Sequence, residues 1–165
     1  MSDRIAIYPG SFDPVTSGHC NIVERSLGVF DKVVVAVLSH PSKTAMFSPE
    51  ERVDLIRRVF ADEQRVSVES FDGLLVDYVA QRGSSSVIRG LRAVQDFEYE
   101  FQMTMMNRRL APQIDTFFMM TDAEFFYISS RTVKEVASLG GDITGTVPPL
   151  VEHAIASKLA QGAAQ

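Results

Sequence analysis

Apolar and polar positions alternate along the chain in a pattern that predicts five strands with helices between and after them. Short apolar runs predict strands at residues 5–7, 32–38, 65–70, 87–88 and 115–121. Apolar residues that recur every three or four positions predict helices at 20–27, 48–60, 74–82, 96–110, 130–139 and 149–159. Strands that alternate with helices form parallel sheets, so we expect an α/β fold: a Rossmann-like, doubly wound sheet of five parallel strands with helices on both faces.

Local chemistry marks several of the predicted helix boundaries. Ser48 and Glu51 have the spacing of a capping box, and Pro49 stands at the first helical position. Gly83 is expected to end the third helix. The whole chain, residues 1–165, is long enough for one domain with a substantial core, and we expect a frayed tail over residues 160–165.

The segment from Tyr8 to His19 carries the strongest signal for chemistry. It reads Tyr-Pro-Gly-Ser-Phe-Asp-Pro-Val-Thr-Ser-Gly-His, follows the first strand and leads into a helix. A turn of this kind places free backbone N–H groups and the positive end of a helix dipole at one point. His19 stands beside Gly18 in the first helical turn, where a phosphate can approach closely. The segment predicts an anion site with a proton-bearing side chain; the alternative is a plain strand-to-helix turn.

Other polar side chains follow further strand ends. Lys43 comes after the second strand, Arg89 and Arg92 after the fourth, and Ser129-Ser130 downstream of the fifth. Because the carboxyl ends of parallel strands meet at one edge of a sheet, we expect these segments to lie close together.

Each of these residues also has a purely structural interpretation. Arg89 and Arg92 could bind a phosphate together in a bidentate manner, or they could form ion pairs with the acidic residues that follow at 96, 98 and 100. Lys43 could be an ordinary surface lysine. Ser129 and Ser130 could cap a helix and also cradle a phosphate, since the two roles are compatible.

Composition limits the classes of partner. The net charge of −5 argues against non-specific nucleic-acid binding, which requires a basic face. No apolar run approaches the ~20 residues of a membrane span, and no signal peptide is visible. The single cysteine, Cys20, excludes an internal disulfide and is compatible with a reducing compartment. We therefore expect a cytoplasmic protein with neither nucleic acid nor membrane as a partner.

Five sequence blocks carry a resemblance to a known family. Thr16-Ser17-Gly18-His19 is similar to the first signature of the nucleotidyltransferase superfamily. In order, the blocks are Gly10-Ser11-Phe12-Asp13-Pro14, Gly18-His19, Ile88-Arg89-Gly90-Leu91-Arg92, Asp96-Phe97-Glu98-Tyr99-Glu100 and Ile128-Ser129-Ser130 with Val133-Lys134-Glu135. With these blocks, the chain resembles the phosphopantetheine adenylyltransferases over essentially its whole length.

The resemblance implies a reversible reaction of coenzyme A synthesis. The adenylyl group of ATP would pass to 4′-phosphopantetheine and give dephospho-coenzyme A and pyrophosphate. Mg²⁺ would be bound mainly through the ATP phosphates, with no metal ligand from the protein. The acceptor phosphate would attack directly, without a covalent enzyme intermediate, and His19 would stabilise the transition state. The resemblance also implies a homohexamer.

The same resemblance assigns roles to individual residues. His19 would be the catalytic residue. The acceptor would contact Ser11, Lys43, Leu75 and Arg89. ATP would contact Ser11, Phe12, His19, Gly90, Leu91, Arg92, Glu100, Phe125, Phe126, Tyr127, Ile128, Ser129, Ser130 and Arg131.

Two other functions remain open at this point. Another nucleotidyltransferase on the same scaffold could adenylylate nicotinate mononucleotide or use CTP on a phospho-alcohol. Those enzymes share the first motif but lack the block from Arg89 to Arg92 followed by Asp-Phe-Glu-Tyr-Glu. A non-catalytic nucleotide-binding module, in which His19 serves only as a cap, would bind ATP without releasing pyrophosphate.

Overall fold

A computed structural model describes residues 3–39, 45–92 and 94–162 of the chain. Its strands are β1 (Ile5–Gly10), β2 (Lys32–Leu38), β3 (Val66–Phe71), β4 (Ser86–Leu91) and β5 (Asp115–Met120). Its helices are α1 (Ser17–Ser26), α2 (Pro49–Val59), α3 (Leu75–Gln81), α4 (Val94–Leu110), α5 (Ser130–Ser138) and α6 (Pro149–Gly162), and a short 3₁₀ turn covers Ala123–Phe125.

The five strands form one parallel sheet in the order β3-β2-β1-β4-β5. The central strand β1 pairs with β2 on one side and with β4 on the other, so Ile7 lies opposite both Val34 and Val87. The chain builds the sheet outward from β1 to β3 and then crosses to the other side for β4. The predicted α/β class and five-stranded parallel sheet are confirmed, and strand order reverses between β1 and β4.

Side chains of β2 alternate between two cores, one on each face of the sheet. Val33, Val35 and Val37 join one cluster of buried residues, while Val34 and Ala36 join the other. The first cluster includes residues of α1, α2, α5 and α6, and the second includes residues of α3. Burial of both faces explains why this strand is a continuous apolar run.

The predicted end of the fourth strand is wrong. Strand β4 continues through Arg89 and Gly90 to Leu91, so both residues lie within the strand rather than after it. Gly90 fits because it has no side chain. A Cβ at this position would lie only 3.1 Å from Ile22 Cγ1, which packs against the strand there. Arg89 fits because Glu100 neutralises its charge. Neither a glycine nor a charged residue therefore ends this strand.

The predicted end of the last helix is also too early. Helix α6 continues to Gly162, beyond the expected end near Leu159. None of the helices in the described ranges combines the length and low polarity that crossing a lipid bilayer requires.

Candidate active site

A cleft of about 250 Å³ opens at the carboxyl ends of β1 and β4, where strand order reverses. Ten of the residues predicted from the sequence line it: Ser11, Phe12, His19, Arg89, Gly90, Arg92, Glu100, Ile128, Ser129 and Ser130. Other residues complete the lining. They include Tyr8 and Asp96, which the sequence motifs contain without an assigned binding role, and Ile22 and Thr121, which the sequence did not single out.

The remaining predicted residues lie elsewhere. Leu91 is buried in β4. Phe125 packs against Gly18, because a Cβ added to that glycine would lie 3.6 Å from Phe125 Cβ. Phe126 and Tyr127 are exposed. Two others lie apart from the cleft: Leu75 packs against the core on the α3 face, and Arg131 lines a separate depression beside α6. Lys43 lies outside the described residues.

His19 is fixed by the cap of helix α1. Thr16 Oγ1 accepts a hydrogen bond from the backbone N–H of His19 at 3.3 Å, and the backbone N–H of Thr16 donates to His19 Nδ1 at 3.0 Å. This is a capping box in which the third helical residue is histidine instead of glutamate. Because Nδ1 accepts a hydrogen bond, the neutral ring carries its proton on Nε2. His19 therefore offers one N–H donor to the cleft.

Phe12 fixes the other side of the imidazole. Its ring packs edge-on against His19, with ring centroids 5.0 Å apart, and against Tyr8 at 5.3 Å. The backbone of Phe12 has a φ of 47°, a left-handed conformation that is costly for a bulky residue. Gly10 makes room for the ring, since a Cβ there would lie 3.0 Å from it. A strained residue that is held in this way beside a polar side chain marks a functional position.

Two helix N-termini border the cleft and are tied together. The hydroxyl of Ser130, the first residue of α5, donates to the carbonyl of Pro14 at 2.7 Å. Ser129 caps α5 by accepting from the N–H of Thr132 at 3.0 Å. In the described part of the chain, no residue accepts a hydrogen bond from the N–H of Gly18 or of Ser130. Free N–H groups at helix N-termini bind anions, so this edge of the cleft suits phosphate.

The two arginines of the cleft are both held by carboxylates. Arg89 donates to both oxygens of Glu100 and to the carbonyl of Pro9 at 2.7 Å. Arg92 donates to Asp96 at 3.2 Å and to the carbonyl of Ile128 at 3.0 Å. The ion-pairing interpretation therefore holds for Arg89 with Glu100 and for Arg92 with Asp96. A guanidinium has five N–H donors, so both side chains keep donors for an incoming anion.

Charge and burial set the protonation states in the cleft. Burial opposes the charge on Arg89, but the hydrogen bonds and the negative charge of Glu100 outweigh it and raise the pKa of Arg89. Burial, and then the positive charges of Arg92 and Arg89, lower the pKa of His19 to about 4. His19 is therefore a neutral hydrogen-bond donor at pH 7.

The depressed pKa of His19 predicts a loss of stability on acidification. The unfolded chain binds a proton near pH 6.5, but the folded chain does so only near pH 4. The contribution of the neutral His19 ring to the free energy of unfolding is therefore complete above pH 6.5. As the pH decreases below this value, the contribution falls by up to about 1.4 kcal/mol per pH unit. Urea unfolding measures the free energy of unfolding at pH 7 and at pH 5. Between these two pH values it should fall by about 1–2 kcal/mol more in the wild type than in His19→Gln. Equal losses in both proteins would show that the ring titrates normally.

A buried ionic cluster, which the sequence did not indicate, fixes the loop between β1 and α1. Asp13 accepts from Lys134 Nζ at 2.6 Å and from the backbone N–H groups of Phe47 at 2.9 Å and Met46 at 3.1 Å. Burial by itself raises the pKa of Asp13, but Lys134 and the two N–H groups outweigh it, so the pKa is lowered. Asp13 thus connects the loop between β1 and α1 with the residues just before α2 and with α5.

Arg52 completes this cluster. Its side chain is buried and lies 3.6 Å from Asp13 Oδ1. It donates to the carbonyls of Phe47 at 2.8 Å and Ser11 at 3.1 Å, and so holds the backbone of a predicted site residue. No sequence signal pairs residues 13, 52 and 134, because they are distant in the chain and meet only through tertiary packing.

A larger depression of about 470 Å³ lies between α2 and α6. It is lined by Phe47, Leu55, Lys158 and several acidic residues, and none of the described site residues predicted from the sequence lines it. The described site residues predicted from the sequence therefore gather at the smaller cleft at the sheet edge and not in this depression.

Comparison with known proteins gives the class of enzyme. A family model described as cytidylyltransferase-like matches residues 7–136, which is most of the chain. A solved protein from Vibrio parahaemolyticus, described as a candidate nicotinate-nucleotide adenylyltransferase, shares the fold with a TM-score of 0.67 at 20% identity, over 96% of this chain and 95% of its own. The fold, the cleft and the family match define a nucleotidyltransferase.

Relatives in sequence narrow the class of nucleotidyltransferase to one family. The chain is 53% identical to a phosphopantetheine adenylyltransferase of Geobacter sulfurreducens, over 97% of this chain and 98% of that protein. It is 52% identical to the protein of the same name from Geobacter metallireducens, over 98% of this chain and 99% of that protein. The chain therefore belongs to the phosphopantetheine adenylyltransferase family.

Proposed function

We propose that this chain transfers the adenylyl group of ATP to 4′-phosphopantetheine in coenzyme A biosynthesis. A phosphate oxygen of the acceptor forms a bond to the α-phosphorus of ATP, and the bond from that phosphorus to the oxygen bridging to the β-phosphorus breaks. Pyrophosphate leaves, and dephospho-coenzyme A is the other product. The reverse reaction uses the same bonds in the opposite order.

The single observation that carries the proposal is the fixed tautomer of His19 within the cleft. The hydrogen bond from the N–H of Thr16 to Nδ1 leaves the proton on Nε2. The low pKa keeps the ring neutral, so it donates this proton in a hydrogen bond. Charge on the α-phosphate oxygens increases in the transition state, and a preorganised donor at that point stabilises it. Arg89 and Arg92 add positive charge, and the helix N-termini add N–H donors.

Direct attack is supported by the way in which the cleft hydroxyls are held. Thr16 Oγ1 lies 3.0 Å from His19 Nδ1, but it is buried and caps α1 by accepting from the backbone N–H of His19. The hydroxyl of Ser130 donates to Pro14, and that of Ser129 lies 2.7 Å from Thr132 Oγ1, so neither contacts a base. Burial raises the pKa of the Cys20 thiol to about 12, which disfavours the thiolate. The neutral His19 ring carries its proton on Nε2, the nitrogen without a protein partner. Catalysis then consists of positioning and charge stabilisation.

Mg²⁺ is proposed to enter with the nucleotide. Within residues 3–39, 45–92 and 94–162, no three His, Cys, Asp or Glu side chains are grouped where they could hold a metal ion. The two acidic residues of the cleft, Asp96 and Glu100, are paired with arginines. Mg²⁺ commonly keeps water ligands and binds substrate phosphates, a mode that requires no protein cage. When bound, it neutralises charge on the phosphates of ATP.

The acceptor is tested by pyrophosphate release from Mg·ATP with purified protein. Release is expected with 4′-phosphopantetheine and not with nicotinate mononucleotide. Release with the mononucleotide alone would keep the nucleotidyltransferase class and overturn the acceptor. Binding of ATP without release in the presence of either acceptor would favour a non-catalytic binding module.

Arg89 is proposed to hold the phosphate of the acceptor, and Arg89→Lys tests this role. Lysine keeps the positive charge opposite Glu100 but loses the planar fork of donors. The KM for 4′-phosphopantetheine should rise about tenfold or more, because bonds between charged groups are lost. Arg82→Lys is the matched control, since Arg82 pairs with Glu69 away from the cleft. An unchanged acceptor KM in Arg89→Lys would remove Arg89 from the acceptor site.

A homohexamer in the cytoplasm completes the proposal. The resemblance implies this assembly, and exposed apolar side chains on α4 and β5 offer surface for subunit contacts. They include Phe97, Phe101, Met105 and Phe117. Large exposed apolar patches commonly mark interfaces between subunits.

A further inference from the structure

Tyr8 is a residue of β1 whose ring is fixed beside His19. It is 5% exposed, and it lines the cleft together with His19 and Gly90. Phe12 packs edge-on against both rings, with centroids 5.3 Å from that of Tyr8 and 5.0 Å from that of His19. The centroids of Tyr8 and His19 themselves lie 6.4 Å apart. One aromatic contact therefore holds both side chains.

The hydroxyl of Tyr8 has no protein partner in the described part of the chain, where only burial and nearby charges act on it. It lies 3.5 Å from the position that a Cβ would occupy on Gly90. Thr121 Oγ1 is the only side-chain nitrogen or oxygen in that part of the chain that is both fully occluded and unpaired. The Tyr8 hydroxyl, which is also unpaired, therefore keeps some surface open to the cleft. An unpaired hydroxyl on a buried residue is rare, and one that opens into a cleft indicates a contact with a ligand.

The charges around this hydroxyl indicate the class of ligand. Burial raises the pKa of Tyr8, and the opposing positive charges of Arg89 and Arg92 do not overcome it. The phenol is therefore protonated at pH 7 and can donate a hydrogen bond. The same two arginines lower the pKa of His19, so both donors lie within the field of both cations. Neutral donors in a positive field favour an anion.

The position of His19 indicates which anion this is. In the proposed reaction His19 donates from Nε2 to the α-phosphate of ATP. A tetrahedral phosphate presents its oxygens in different directions, so a neighbouring donor can bind a second oxygen of the same group. Tyr8 is the neighbouring donor that the shared contact with Phe12 holds in place.

We propose that Tyr8 is a second catalytic donor, and that its hydroxyl hydrogen-bonds to a non-bridging oxygen of the nucleotide α-phosphate. Negative charge on that oxygen grows in the transition state, so the bond strengthens there. This inference rests on the proposed adenylyl transfer and adds a residue to it.

Tyr8→Phe tests the contact in the full chain, because it removes only the hydroxyl. Calorimetry without acceptor should show ATP binding weakened about tenfold. The two diastereomers of ATP with sulfur on the α-phosphorus report which oxygen is bound, since sulfur is a poor hydrogen-bond acceptor. The loss in Tyr8→Phe should persist with one diastereomer and nearly vanish with the other. Equal ATP affinity in wild type and Tyr8→Phe would overturn the inference, as would an equal loss with both diastereomers.

Tyr78→Phe is the matched control. The hydroxyl of Tyr78 donates to Glu69 at 2.8 Å, and its ring belongs to the core on the opposite face of the sheet. This variant should keep the ATP affinity and the kcat of the wild type. The Tm of unliganded Tyr8→Phe should be unchanged or higher, because no protein contact is lost. A lower Tm would show that the protein itself binds the hydroxyl, and would overturn the inference.

Pyrophosphate release separates this role from the proposed reaction. Under saturating substrates, kcat in Tyr8→Phe should fall about tenfold or more. Wild-type kcat in Tyr8→Phe would overturn the catalytic role of Tyr8 and leave the reaction intact. Wild type that binds ATP but releases no pyrophosphate would refute the reaction, and the two diastereomers would still decide whether Tyr8 contacts the α-phosphate.

Discussion

Replacing His19 by alanine is expected to lower kcat by about 10²–10³-fold while ATP affinity changes little. The neutral ring donates from Nε2, and the proposed acceptor of this bond gains charge only as the transition state forms. A donor of this kind acts on kcat more than on ground-state binding. Pyrophosphate release under saturating substrates and ATP calorimetry measure the two effects separately.

His19→Gln is the matched variant because His19 also caps a helix. Glutamine at the third helical position can accept from the N–H of Thr16 and restore the capping box, whereas alanine cannot. His19→Ala should lose both turnover and about 1 kcal/mol of stability, whereas His19→Gln should keep the stability. Because the glutamine amide also carries N–H donors, donation is tested by His19→Ala, and turnover close to wild type in His19→Ala would show that the ring is not a catalytic donor.

Replacing Asp13 by alanine is expected to lower the free energy of unfolding by about 3–5 kcal/mol. The change leaves Lys134 and Arg52 without their anion, and it also leaves the N–H groups of Met46 and Phe47 without an acceptor. Asp13→Asn keeps an acceptor for the N–H groups and should fall between wild type and Asp13→Ala. Urea unfolding at pH 7 measures the difference.

Asp54→Ala provides the control for this effect. Asp54 pairs with Arg58 at 3.7 Å, and both side chains are exposed, so its loss should cost less than about 1 kcal/mol. A similarly small cost in Asp13→Ala would mean that the buried cluster adds little to stability. The loop that carries Ser11 and His19 would then be held by other contacts.

The sequence was sufficient to predict the class of fold because both faces of the sheet are buried. The continuous valine run of β2 reports this double burial directly, and the spacing of apolar residues reports the helices. The end of β4 was predicted wrongly for a physical reason. Propensity treats Arg89 and Gly90 as strand breakers, but Glu100 and Ile22 make them fit, and neither contact is local in sequence.

The cleft was predictable to the extent that topology alone brings strand ends together. Ser11, His19, Arg92 and Ser130 line one cleft, as the parallel sheet requires. The fixed tautomer of His19 was not predictable from pattern, because it depends on a hydrogen bond to one ring nitrogen.

The partners of Asp13 were equally beyond sequence pattern, because they depend on which distant residues meet. They therefore require a three-dimensional structure.

Direct attack on the α-phosphorus is tested most simply by the stereochemistry of the transfer. ATP carrying a chiral, isotopically labelled α-thiophosphate can be turned over with 4′-phosphopantetheine, and the configuration of the product can be assigned. A single in-line displacement inverts the configuration at phosphorus, and inversion is the result that we predict. Retention would require two displacements and a covalent adenylyl-enzyme, and would contradict the assignment of His19 as a hydrogen-bond donor.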